Sequence, residues 1–133
     1  MTYVLYTLLA VVLSLLLTPL VRKFAFRVGA VDVPRPPRNL HSKTVAKLGG
    51  LAVFLAFAIT TLFYVGTSNH FDPNIIPLKF ILALLGGGAV LMLGGFLDDK
   101  YELPPYLLWI FPALAALIVV FSGIGVGITF LSN

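Results

Sequence analysis

Residues 79–97 read KFILALLGGGAVLMLGGFL, and Asp98-Asp99-Lys100 follow directly. Lys79 is the only charge in that run. About 20 apolar residues, at a rise of 1.5 Å each, cross a hydrocarbon core as an α-helix. Three further stretches have the same character, at 3–21, 48–66 and 106–122. Over the 133 residues, 59% are hydrophobic, 11% are charged and the mean hydropathy is +1.04. A water-soluble domain of this size needs more polar cover, so that class is excluded. The expectation is an all-α integral membrane protein with four transmembrane helices. Only Met1 and Thr2 precede the first run, which ends in Thr18-Pro19-Leu20-Val21 rather than a small-residue cleavage site. It therefore reads as a retained span and not a signal peptide. With no cysteine in the chain, a disulfide framework and a thiolate metal site are excluded.

The net charge of +4 is unevenly spread. The connection 22–47 holds Arg22, Lys23, Arg27, Arg35, Arg38, Lys43 and Lys47 against one acid, Asp32. The connection 67–78 holds no Lys or Arg, and 98–105 carries Asp98, Asp99, Lys100 and Glu102. By the positive-inside rule, 22–47 is cytoplasmic and the N-terminus lies outside. Counting spans, 98–105 is then also cytoplasmic. Acidic and basic connections thus meet on one membrane face, although the sequence keeps them far apart.

Within 79–97, Ala83, Gly87 and Gly94 fall near one helical face, where small residues let a neighbouring helix approach closely. Pro112 predicts a kink or a broken backbone ladder in the fourth span. The glycine alternation at 123–127 suits extended backbone better than helix.

Asp98 and Asp99 stand at the C-terminal end of the third span, where the helix dipole is already negative. Carboxylates there are destabilising by a few tenths to about 1 kcal/mol each, so helix stability does not explain them. Two chemistries do. Adjacent carboxylates can ligate Mg²⁺, which takes few protein oxygens and keeps sites for substrate phosphates. One of them can instead act as a general base. A solvated turn, with an aspartate capping it, is the plain structural alternative. In the basic connection, Arg22, Lys23 and Arg27 sit at the membrane edge and suit topology and anionic lipid. Arg35 lies within the proline-stiffened stretch 32–37, and Arg38, His41, Lys43 and Lys47 follow it; the stretch would aim them at a phosphate or diphosphate. His70, on the other side, reads as incidental. Together these residues suggest a cytoplasm-facing site for a phosphorylated ligand, with phosphate clamped by cations and the reaction driven by positioning and charge.

Four motifs in chain order carry a resemblance: Asp32-Val33-Pro34; Arg38-Asn39-Leu40-His41; Lys47-Leu48-Gly49-Gly50-Leu51-Ala52; and Gly95-Phe96-Leu97-Asp98-Asp99-Lys100-Tyr101-Glu102-Leu103. The chain resembles the polyprenyl-phosphate N-acetylhexosamine-1-phosphate transferases, bacterial membrane enzymes of glycosyltransferase family 4. The resemblance implies transfer of a sugar-1-phosphate from a UDP-N-acetylhexosamine to undecaprenyl phosphate, with Mg²⁺ and release of UMP. It implies the cytoplasmic (inner) membrane, an active site facing the cytoplasm, no nucleic-acid partner and, at family level, a homodimer. Asp98 and Asp99 would be metal-proximal or basic groups, and Arg38, His41, Lys43 and Lys47 would line the phosphate side. The motif form is closer to enzymes that start O-antigen, enterobacterial common antigen or teichoic-acid linkage units than to the peptidoglycan branch. Where the family has prolines three and five residues after the histidine, this chain has Thr44 and Ala46. Where a lysine and a glutamine are common in the fourth span, it has Leu108 and Pro112. The family implies a larger, roughly ten-helix fold, of which residues 1–133 would be the N-terminal part and would not carry a complete site. The other reading is a small four-span transport or assembly protein with an acidic cation-binding pair.

Overall fold

The computed structural model describes residues 2–32, 44–69 and 71–124. Helix α1 (Thr2–Val28) leads into strand β1 (Val31–Asp32), which pairs antiparallel with β2 (Val45–Ala46). Helices α2 (Gly49–Thr67) and α3 (Leu78–Tyr101) follow, then a short α4 (Pro105–Leu108) and α5 (Ile110–Phe121). Three helices are long and apolar enough to cross a membrane: Tyr3–Val28, Gly49–Thr67 and Leu78–Tyr101.

Packing is the reverse of a water-soluble core. The buried positions are mostly small, among them Ala25, Ala30, Ala52, Ala56, Ala83 and Ala115. Large apolar side chains such as Leu5, Leu15, Leu16, Val53, Leu84 and Leu93 point outward, and no large side chain is fully buried among the described residues. A surface of this kind is at home in lipid, where small residues bring helices together and large ones face acyl chains. The chain is a multi-pass, essentially all-helical membrane protein.

Two helix pairs make up the bundle. α1 packs along α2, with Ala52, Ala56 and Thr60 of α2 forming a buried stripe. α3 packs along α5, burying Ala83, Gly87 and Gly94, the three small residues expected to share a face. A Cβ at Gly87 would lie 3.2 Å from the Ala115 carbonyl oxygen, and one at Gly94 only 2.7 Å from Phe111 Cβ. The pairs touch where Phe54 of α2 covers Gly88 and where Phe24 stacks on Phe96, ring centroids 6.2 Å apart. At the opposite end of α1 and α2, Tyr3, Tyr6, Phe63, Tyr64 and Phe71 make a ring cluster, and Tyr6 Oη bonds Thr67 Oγ1 at 3.1 Å. Such aromatics suit a membrane–water boundary.

The helices outrun the apolar runs that mark them. α1 runs past Pro19 and through Arg22, Lys23 and Arg27 until Gly29, whose φ of +79° closes the helix. There Ala30 N–H donates to the Ala25 carbonyl at 3.0 Å, a Schellman closure with both alanines fully buried. No atom lies within 4 Å of a Cβ placed on Gly29, so Gly29→Ala pays only the left-handed backbone penalty. We expect a loss of about 1 kcal/mol, read as a lower unfolding midpoint in detergent. α3 likewise continues past 97 to Tyr101, so Asp98 and Asp99 lie in its last turn rather than in a loop.

The fourth apolar stretch is not one helix. α4 and α5 part at Trp109, three residues before Pro112. A proline cannot donate to the carbonyl four residues back, here Leu108, and its ring crowds that carbonyl. Pro105–Phe121 is shorter than the three long helices. The tail at 125–133 and His70 lie outside the described residues.

Candidate active site

The ribbon β1–β2 positions the site. Val31 opposes Ala46 and Asp32 opposes Val45, and Lys47 N–H donates to the Ala30 carbonyl at 3.2 Å. The end of α1 is thereby tied to the start of α2. Beneath this clasp, Val21, Ala25, Ala30, Leu48 and Ala52 form one apolar cluster, with Phe96 of α3 packed against it. That cluster brings the end of α3 to the same end of the bundle as the N-terminus of α2.

The result is a cavity of about 200 Å³ lined by Lys47, Leu48, Gly50, Leu51, Met92, Gly95, Phe96 and Asp99. Lys47 and Asp99, both half-buried, stand on its wall and act on one another electrostatically. The glycines explain why there is room. A Cβ on Gly50 or Gly95 would meet nothing within 4 Å, in contrast to Gly87, Gly88 and Gly94, which are filled by neighbouring side chains or backbone. Gly50 and Gly95 are therefore not required for helix packing among the described residues. They leave open space on the cavity that Lys47 and Asp99 line. Another cavity, of about 160 Å³, shares Leu48 with it and includes Arg22, Thr18 and Gly49.

The two aspartates are placed differently. Asp99 faces the cavity; Asp98 is not on its wall. Asp98 Oδ1 accepts from Leu103 N–H at 3.1 Å, and the Asp98 carbonyl accepts from Glu102 N–H at 2.8 Å. Arg38, His41 and Lys43 lie outside the described residues, as do Arg35 and the proline stretch before it. Of the phosphate-side candidates, the structure brings Lys47 to Asp99. Of the other lining residues, Met92 is an ordinary apolar helix position with no signal in the sequence, and Leu51 stood in a motif without being singled out. Gly50 and Gly95 stood inside quoted motifs, but spacing did not separate them from the packing glycines.

No three His, Cys, Asp or Glu side chains gather as a metal-holding group among the described residues. On the cavity wall the carboxylate on offer is that of Asp99, because Asp98 Oδ1 is engaged by Leu103. That fits Mg²⁺, which binds through one or two carboxylates when phosphates and water complete its shell.

Sequence comparison bears on this geometry. A probable undecaprenyl-phosphate N-acetylglucosaminyl 1-phosphate transferase of Bacillus subtilis is 29% identical over 110 residues, covering 83% of this chain and 28% of that protein. A decaprenyl-phosphate N-acetylglucosaminephosphotransferase of Mycobacterium tuberculosis is 30% identical over 115 residues, covering 86% of this chain and 28% of that protein. The chain is related to the polyprenyl-phosphate N-acetylglucosamine-1-phosphate transferases. It spans little more than a quarter of the length of these curated relatives. No protein-family model matches it, and no solved structure matches it significantly. The similarity to these transferases covers most of the chain, as the resemblance of the four motifs implied.

Proposed function

We propose that this chain is part of a phosphoglycosyl transferase that moves N-acetylhexosamine-1-phosphate from a UDP-sugar to undecaprenyl phosphate in bacterial envelope polysaccharide synthesis. The observation that carries the reading is the shared cavity of Lys47 and Asp99, opposite charges from distant segments with two glycines leaving open space on it. The acceptor's phosphate oxygen attacks the phosphorus that bears the sugar. A new P–O bond forms, the diphosphate P–O bond breaks, and UMP leaves. Lys47 holds a phosphate oxygen of the donor, which both orients it and offsets charge as the bond breaks. Asp99 faces the reacting phosphates and takes up the acceptor's proton, or would hold a metal ion that arrives with the diphosphate. Bound there, Mg²⁺ would supply charge neutralisation. Arg38, His41 and Lys43 are proposed to extend the phosphate side.

Orientation supports the same reading. With 22–47 cytoplasmic by charge, the cavity faces the side where nucleotide sugars are found, in a four-span arrangement with the N-terminus outside. A four-span transport or assembly protein using both aspartates as a cation pair draws less support, because Asp98 Oδ1 is engaged by Leu103.

The test places residues 1–133 in the B. subtilis relative, in exchange for the stretch they match. Membranes holding the chimera are assayed for UMP release from UDP-N-acetylglucosamine with undecaprenyl phosphate and Mg²⁺. Release by the chimera, and none by residues 1–133 alone, is the expected result. A well-folded but inactive chimera would refute the reading. In the active chimera, Lys47→Ala should raise KM for the UDP-sugar by roughly tenfold to a hundredfold, the loss of a charge-assisted hydrogen bond.

A further inference from the structure

We infer that Asp98 is a positioning residue, a carboxylate that builds the turn ending α3 so that its neighbour Asp99 stays on the cavity wall. The inference rests on the site reading above for its purpose, and on the turn's own geometry for its substance.

Glu102 is the one non-glycine with positive φ among the described residues, at +50°. A left-handed residue usually ends a helix when its own N–H and that of the next residue find acceptors in the last turn. Glycine normally takes that position, because a side chain is strained there. Here Asp98 serves both N–H groups. Its carbonyl accepts from Glu102 at 2.8 Å, and its Oδ1 accepts from Leu103 at 3.1 Å, where a backbone carbonyl would ordinarily serve. Pro104 and Pro105 follow at once and have no N–H to offer. Leu103 is therefore the last donor available to close the turn. A negative side chain at a helix C-terminus is otherwise unfavourable, and this acceptor role accounts for it. The two carboxylates thus divide the work: one shapes the backbone, the other faces the cavity.

The test uses the 133-residue chain in lipid nanodiscs and needs neither nucleotide nor acceptor, so its outcome is separate from that of the transferase assay. Hydrogen exchange is followed at the Leu103 amide. Asp98→Ala should speed it about tenfold or more, the loss of a hydrogen bond to a charged acceptor. Asp98→Asn, which keeps an oxygen acceptor, should restore most of the protection, and Asp99→Asn should leave it unchanged. Position is read separately. The chain has no cysteine of its own, so Lys47→Cys with Asp99→Cys reports their approach through the rate of bridging by a short bis-thiol reagent. Asp98→Ala should slow bridging several-fold, and Asp98→Asn should return it. Unchanged Leu103 exchange in Asp98→Ala would overturn the inference. So would bridging that falls equally in Asp98→Asn and Asp98→Ala, since the charge itself would then be what Asp98 supplies.

Discussion

Asp99→Asn in the active chimera should lower the rate of UMP release by about a hundred- to ten-thousandfold, the range for losing a proton-accepting side chain in a reacting site. The substitution keeps size and shape but removes the charge. On the proposed mechanism, neither a proton nor a metal ion would then be held at that point of the cavity. Asp99 lies beside open space left by Gly50 and Gly95, so the fold should not register the change. An unfolding midpoint equal to that of the parent is part of the expected result. Should the variant keep more than about a tenth of the activity, well above the range for such a loss, Asp99 has no role in the chemistry. Lys47→Ala provides the comparison, because it should act mainly through KM while Asp99→Asn acts through kcat.

The largest effect on stability is expected at Gly94. A Cβ there would fall 2.7 Å from Phe111 Cβ and still closer to its ring. Two helix backbones must separate to admit it, since Phe111 is attached at the crowded point and cannot swing clear. Gly94→Val should therefore destabilise by about 3 kcal/mol, the upper part of the range for overpacking. Gly95→Ala should be neutral or mildly stabilising, because the added methyl meets nothing and alanine favours helix by about 1 kcal/mol. Denaturant titration of the chain in mixed micelles reads both. Equal losses at the two neighbouring glycines would mean that α3 does not pack on α5 through this face.

How much of this was legible beforehand varies with the physics involved. Long apolar runs announce helices because lipid leaves the backbone no other partner, and α2 and α3 follow their runs closely. The ends were less legible. α1 continues through three cations to Gly29, and α3 continues through both aspartates to Glu102. A change of solvent does not end a helix; a cap does. Pro112 foretold the break between α4 and α5 by its missing N–H, although the break itself falls at Trp109. The ribbon could not have been read from the sequence, because two residues per strand leave no alternation to detect. At the site, charge pattern proposes one face for Lys47 and the acidic pair, and the structure lines one cavity with Lys47 and Asp99. Charge pattern could not separate Asp98 from Asp99, because identical neighbours differ only in which way the helix turns them. The same limit hid the split between packing glycines and space-leaving ones.

The β1–β2 clasp carries a consequence for how such a protein can change over time. Both margins of the 33–44 connection leave from paired strands, and Lys47 is anchored to Ala30 by its own amide. Lengthening, shortening or rewriting the residues between the strands leaves the anchor of Lys47 in place.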